Sequence, residues 1–299
     1  MAMVTVGVAI AAVRQKFNAA GIEQAGLEAR LLLADTLTCD AAVVIGHPER
    51  LLAPNEVVEL EEKVCRRLQR EPLAYILGRR EFWSLSFIVD SHTLVPRPET
   101  ETLVEAALEW AAGRRDLRLL DLGTGSGCLL LALLYELPDA WGLGVDIDEA
   151  ALGVARLNAE TLGLDVRASF MRADWADALG GSFDLIVTNP PYISDAEWME
   201  LDPGVREFEP TLALRAGADG LTAYRRILPA LRRLLAPNGV ALIETGGASA
   251  TLLPLLVRQS GLEIVENRHD LADRWRCLAV SSAATEPLKN FLGNQVVLV

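Results

Sequence analysis

Over the first seventy-five residues, apolar positions recur at helical spacing. Val6, Ile10, Val13 and Phe17 fall at i, i+4, i+7 and i+11, one face of a helix that Gly21 closes. Leu27, Leu31, Ala34 and Leu37 predict a second helix. Pro54, followed by Val57, Leu60, Val64 and Leu68, predicts another with proline at its start. No strand-like alternation interrupts them, so residues 1–78 read as a small all-helical domain. Residues 79–95 place Phe, Trp, Ile and Val around a serine-rich stretch and predict a short hairpin or extended linker. Pro98 then sits at a helix N1 position, with Glu99 and Glu101 in the first turn, where the helix dipole favours acids. Beyond this the period changes. Short apolar runs at 117–121, 141–146, 167–173, 183–188 and 239–244 are mostly separated by helical segments, and two further strands fit near 262–268 and 275–281. Such alternation predicts an α/β domain over 96–282, a parallel sheet covered on both faces. The tail, 283–299, has no clear period.

Composition narrows the picture. A chain of 299 residues is long enough for about two domains and a core without staples. With 51% hydrophobic and 23% charged residues, wholesale disorder is excluded. The net charge of −13 is unevenly spread: residues 1–80 hold ten basic and ten acidic side chains, residues 81–299 hold 18 and 31. So acidic a stretch is a poor non-specific ligand for nucleic acid, whose affinity rests on phosphate neutralisation. Arg66, Arg67 and Arg70 read as a solvated helix face. Cys39, Cys65, Cys128 and Cys277 are far apart and read as buried free thiols in a reducing, cytoplasmic setting. His47, His92 and His269 are isolated, so no metal-ligand spacing exists. The apolar N-terminus lacks a basic n-region, and no apolar run approaches the roughly 18 residues of a membrane span. Nothing resembles a long interface helix, so the chain reads as a monomer.

Four motifs carry candidate chemistry. Asp121-Leu-Gly123-Thr124-Gly125-Ser-Gly127 lies between a strand and the helix 128–136. Its glycines permit a tight turn and close approach to a ligand, but the spacing is neither the dinucleotide fingerprint nor a P-loop. The acid that opens it suits a cationic or hydroxylated ligand, and S-adenosyl-L-methionine carries both an ammonium and a sulfonium. Asp146 ends the next strand, with Ile147 beside it, and is placed to accept from ribose hydroxyls; Asp148 is the better helix cap. Asp174 follows the third strand, suited to an adenine amine, with Trp175 against the ring. Asn189-Pro190-Pro191-Tyr192 ends the strand FDLIVT at the carboxyl edge of the sheet. The Asn189 carboxamide oxygen and the Pro190 carbonyl form an acceptor pair for a planar NH₂ group, aiming a poor nucleophile at a sulfonium methyl. Tyr192 offers an aromatic wall to the substrate and the cationic methyl.

In this order the motifs resemble a class I S-adenosylmethionine-dependent methyltransferase, a Rossmann-like seven-stranded fold, and NPPY narrows the likeness to enzymes that methylate a planar nitrogen. REPLAYILGRREFWSL (70–85), LVPRPETE (94–101), NPPYI (189–193) and FEPTLAL with GADGL (208–221) resemble the bacterial release factor N5-glutamine methyltransferase (HemK/PrmC) family. The resemblance spans about residues 25 to 280. It implies an N-terminal helical substrate-recognition domain (1–78), a hairpin linker (79–95), a methyltransferase domain (96–282) and a C-terminal tail (283–299). It implies methyl transfer to the glutamine of the Gly-Gly-Gln motif in class-1 peptide-chain release factors, with S-adenosyl-L-homocysteine as by-product. It also implies that the glycine loop holds the methionine moiety, Asp146 the ribose, and Asn189 with Pro190 the glutamine amide, while Arg97 and Glu99 shape the mouth. Thr245-Gly246-Gly247-Ala248 departs from the family pattern, which more often has an apolar residue, Gly and a nearby Gln. Two other readings compete: an N6-adenine DNA or RNA methyltransferase, and a cofactor-binding protein that docks on a release factor without turnover. The short segment after NPPY is acidic (Asp195, Glu197, Glu200, Asp202) and disfavours the nucleic-acid reading.

Overall fold

A computed structural model describes residues 4–247, 249–270 and 272–282, so the expected tail at 283–299 lies outside the described residues. The chain forms two compact units, Met1–Gly78 with Pro203–Phe208, and Arg79–Asp202 with Glu209–Val299.

The first unit is helical. Helices α1 (Val6–Ala19), α2 (Ala25–Thr36), α3 (Ala41–Gly46), α4 (Pro54–Leu68) and α5 (Leu73–Leu77) enclose a core of Val6, Val13, Phe17, Leu32, Leu33, Leu60 and Val64. Thr5 caps α1, its hydroxyl accepting from the Val8 N–H, and Pro54 opens α4. The face of α2 differs in part from the expected one: Ala34 is buried and Leu37 packs on the core as expected, but Ala25, Ala29, Leu32 and Leu33 are also buried and Leu27 is exposed. Arg66 and Arg67 on α4, and Arg70 just beyond its end, are all paired, and of the three only Arg66 is exposed. Arg67 donates to both Glu28 carboxylate oxygens (2.6 and 3.1 Å), Arg66 to Glu71 (2.8 Å), and Arg70 to the Ala20 carbonyl (2.6 Å). The four cysteines are free thiols, but only Cys277 is buried, and Cys65 is exposed.

The second unit begins with a hairpin, β1 (Arg79–Phe82) and β2 (Leu85–Ile88). Trp83 (φ 52°) and Ser84 (φ 57°) form its two-residue turn, both in the left-handed region that such turns require. The turn is held from outside: the Trp83 backbone N–H donates to Glu101 and its indole N–H to Glu136, each at 2.8 Å. A 3-10 turn (Pro98–Thr100) leads into α6 (Glu101–Ala111), one turn later than proline-started helix spacing implied. Then follow β3 (Arg118–Leu122), α7 (Cys128–Glu136), β4 (Trp141–Asp146), α8 (Glu149–Thr161), β5 (Ala168–Arg172), β6 (Phe183–Thr188) and α9 (Asp195–Trp198). After α10 (Pro203–Phe208), which clusters with the helical unit, come α11 (Thr211–Leu214), α12 (Thr222–Leu234), β7 (Leu235–Glu244), α13 (Ser249–Gln259), β8 (Glu263–His269) and β9 (Trp275–Ser281).

The sheet has the order β5-β4-β3-β6-β7-β9-β8. Strands β3 to β7 are parallel, whereas β9 runs antiparallel to both β7 and β8. The five runs that alternate with helices form the expected parallel sheet, and the two further strands join it with β9 antiparallel to its neighbours. Residues 270–274 are too few for a crossover, which needs a dozen or more, so β8 and β9 must run against each other. The period of two sorts the central strands between two cores. Leu119, Leu185, Val187 and Leu242 pack with α6 and α7, while Leu120, Ile186, Ala241 and Ile243 pack with α12 and α13. The carboxyl ends of the parallel strands are thereby fixed side by side.

Candidate active site

The loop after β3 wraps the end of β4. The N–H groups of Gly123 and Thr124 both donate to the Val145 carbonyl (2.8 and 2.9 Å). Gly123 (φ 77°) and Gly127 (φ 79°) are left-handed, and a Cβ would lie 3.2 Å from the Trp175 ring at Gly123 and 3.2 Å from Ala155 at Gly127. Backbone conformation and crowding therefore both select glycine. Asn158 ties this loop to β2: its amide donates to the Ser126 and Ile88 carbonyls, and its oxygen accepts from the Ile88 N–H.

Loop and strand ends border a cavity of about 290 Å³. Among the predicted residues, Arg97, Asp121, Gly123, Thr124, Gly125, Asp146, Ile147, Asp174, Trp175, Asn189 and Pro191 line it. Four others stand back from it. Gly127 packs on α8, Pro190 is buried, Glu99 is exposed, and Tyr192 packs beside Gly246, where an added Cβ would lie 3.0 Å from its ring. The same Cβ would lie 2.8 Å from the Arg276 guanidinium, so a glycine at 246 leaves room for both side chains.

The floor is acidic. Asp121 is 1% exposed and accepts from Thr124 Oγ1 at 2.7 Å. Burial, with the nearby Asp146 charge adding to it, pushes its carboxyl up to about 7. Burial also raises the Asp146 pKa. Each Asp146 oxygen already accepts one backbone N–H, from Gly125 (2.9 Å) and Asp148 (3.0 Å), and a carboxylate has room for more. Asp148 caps α8 through the Ala150 N–H (2.9 Å). Asp174 is paired with Arg226 at 3.0 Å, a partner that sequence reasoning missed.

Three further residues escaped the sequence reading. Asn189 Nδ2 donates to Thr100 Oγ1 (3.2 Å), which in turn donates to Glu244 Oε2 (2.7 Å). Thr100 and Glu244 are 3% and 1% exposed. Burial pushes Glu244 up to about 7 against the lowering contacts of Thr100 and Arg276. Glu209, also buried, accepts from the Arg97 guanidinium (2.6 Å) and the Val95 N–H (3.2 Å), clamping the 95–100 segment that walls the cavity. No group of three or more His, Cys, Asp or Glu suited to a metal occurs among the described residues.

Known proteins resemble this chain over most of its length. Residues 9–78 match the PrmC N-terminal domain and residues 100–201 the methyltransferase small domain. The release factor glutamine methyltransferase of Rhodospirillum rubrum is 45% identical over 273 residues, covering 91% of this chain and 84% of that protein. The chain belongs to the release factor glutamine methyltransferase family. The Caulobacter vibrioides member of that family is 40% identical over 262 residues, covering 87% of this chain and 91% of its own. Among solved structures, the hMettl16 catalytic domain in complex with MAT2A 3'UTR hairpin 6 superimposes with a TM-score of 0.54 at 18% identity, covering 75% of this chain and 83% of that one. At that identity the likeness shows the class I methyltransferase fold. As a member of the release factor glutamine methyltransferase family, the chain is an enzyme that transfers methyl groups.

Proposed function

We propose that this chain methylates the side-chain amide nitrogen (N5) of the glutamine in the Gly-Gly-Gln motif of class-1 peptide-chain release factors, in the cytoplasm, with S-adenosyl-L-methionine as donor. The observation that carries the reading is the placement of the Asn189 carboxamide at the edge of a cavity floored by Asp121 and Asp146.

The residues fit the donor. A glycine-rich loop borders the cavity, and the buried Asp121 and half-buried Asp146 carboxyls have raised pKa values, so a cation beside them is favoured. In this reading Asp121 and the Gly123–Gly127 loop face the methionine moiety, Asp146 and Ile147 the ribose, and Asp174 with Trp175 the adenine. When bound, S-adenosyl-L-methionine supplies a methyl group on a sulfonium, an electrophile that needs no metal.

The chain's own work is positioning. Asn189 Oδ1 and the Pro190 carbonyl accept the two N–H bonds of the glutamine amide and hold its plane. The nitrogen then faces the cavity, and such orientation supplies several kcal/mol of the barrier. No strong base is required, because the nitrogen becomes very acidic once it carries the methyl group and gives its proton to water. Pro191 stiffens the loop, and Tyr192 sets its outer side against Gly246. Arg97, through Glu209, shapes the mouth. Residues 1–78 recognise the release factor. Arg97, Arg215 and Arg226 beside the cavity are each paired with an acid, Glu209, Asp195 and Asp174, which supports a protein substrate over a phosphate backbone.

The test is methyl transfer from labelled S-adenosyl-L-methionine to a recombinant release factor, to the same factor with its Gly-Gly-Gln glutamine changed to alanine, and to unmethylated DNA. Label on the first alone is the expected outcome. Label on DNA, or none on the release factor, overturns the reading.

A further inference from the structure

A carboxamide has two ends of nearly equal shape and opposite polarity, an acceptor oxygen and a donor NH₂. The proposed chemistry uses only one of them. If Asn189 turned its NH₂ toward the substrate, donors would face donors and the amide would not dock. Something must therefore decide which end points outward.

We infer that Thr100 and Glu244 form a positioning relay that fixes the Asn189 carboxamide with its oxygen toward the substrate amide. The inference rests on the reading of Asn189 given above. The Thr100 hydroxyl has a single hydrogen. Its oxygen lies 2.7 Å from Glu244 Oε2 and 3.2 Å from Asn189 Nδ2. An ionised Glu244 can only accept, so it takes the Thr100 hydrogen. The hydroxyl oxygen then has only acceptor capacity left for Asn189, which must present its NH₂ to it. Oδ1 is left to face the other way. The chain of bonds also points one way, from the Asn189 N–H through the hydroxyl to the carboxylate, so each bond polarises the next and Oδ1 becomes a better acceptor as the bound amide gains positive character. A protonated Glu244 removes this order. It can donate to Thr100, whose hydrogen is then free to seek Asn189 Oδ1.

Glu244 sits where this charge is controlled. Arg276 on β9 and Arg97 favour the ionised form, while Glu99 opposes it. The neighbouring Tyr192, Tyr224, Cys128 and Cys277 have raised pKa values and remain neutral near pH 7. Burial holds the Glu244 carboxyl at about 7, so its ionisation falls within the working range. Three segments far apart in the chain, the turn before α6, the end of β6 and the end of β7, supply one member each.

The experiment uses the full chain, release factor as substrate and saturating S-adenosyl-L-methionine, across pH 6 to 8.5. Thr100→Val is expected to lower kcat/KM for the release factor about tenfold or more, while cofactor affinity changes less than about threefold. Thr100→Ser restores most of that loss. Glu244→Gln, which keeps a hydrogen-bond partner but not the charge, flattens the acid limb near pH 7. The Thr100→Val/Glu244→Gln double variant falls no further than Thr100→Val, because the relay acts in series. Apart from turnover, the Asn189 side-chain amide protons exchange faster with solvent in Thr100→Val. Thermal unfolding of each variant separates these effects from loss of fold. An active wild type with an indifferent Thr100→Val, an acid limb that persists in Glu244→Gln, or a double variant whose loss is the product of the singles overturns the relay alone. A wild type that labels no release factor overturns both the relay and the reading beneath it.

Discussion

Asp121 is a carboxyl kept near neutrality by burial, and that has opposite consequences for the free and the loaded protein. Its native pKa of about 7 lies above the usual value of 3.8, so the folded state binds the proton more tightly than the unfolded one. The resulting stabilisation is complete below about pH 4 and is lost as pH rises through about 7. A cationic ligand reverses the preference, since it attracts the ionised form. S-adenosyl-L-methionine affinity is therefore expected to rise several-fold from pH 6 to pH 8, with proton release on binding. Titration calorimetry in buffers of different ionisation enthalpy measures both. Asp121→Asn should weaken binding and flatten its pH dependence. The glycine loop, the strand-end acids and NPPY were legible because each lies within a few neighbouring residues. Thr100 was not, since its partners stand 89 and 144 positions away. A threonine beside a proline-started helix reads as part of the helix start until β7 is brought against it.

At the scale of elements, legibility followed length. The long helices α1, α4, α7 and α8 have room for a helical period, whereas α3, α5, α9 and α11, of six residues or fewer, do not. In α2 the run Leu31-Leu32-Leu33 fits more than one phase, so the spacing finds Ala34 and Leu37 but takes the exposed Leu27 in place of the buried Leu32 and Leu33. The Glu209 clamp joins two segments without regular structure, so no period announced it. Glu209→Ala leaves the Val95 N–H and the Arg97 guanidinium without their acceptor. Because Arg97 remains partly exposed, the cost is about 2 kcal/mol, less than for a fully buried pair, and urea unfolding measures it. The same change loosens the wall that Pro96, Arg97, Pro210 and Leu212 share, so KM for the release factor should rise more than kcat falls.

For the whole molecule, the division of charge follows the division into units. Residues 1–80 are balanced, and Arg66 and Arg67 of α4, with Arg70 just beyond it, bond to acids and a carbonyl of their own unit. If this unit recognises the release factor, deleting residues 1–75 should weaken release-factor binding about tenfold or more while leaving S-adenosyl-L-methionine affinity within about threefold. Equal release-factor affinity in the truncated protein, read by titration, would refute that role. The sheet has an order of its own. β9, the last strand among the described residues, lies between β7 and β8, and its Cys277 stands opposite Glu244. While the chain is being made, β7 therefore waits with one open flank, a row of unpaired backbone groups that invites the wrong neighbour. Until residues 275–281 arrive, Glu244 lacks the strand that holds it in register, so a nascent or shortened chain can possess every motif of the site and still be unable to work.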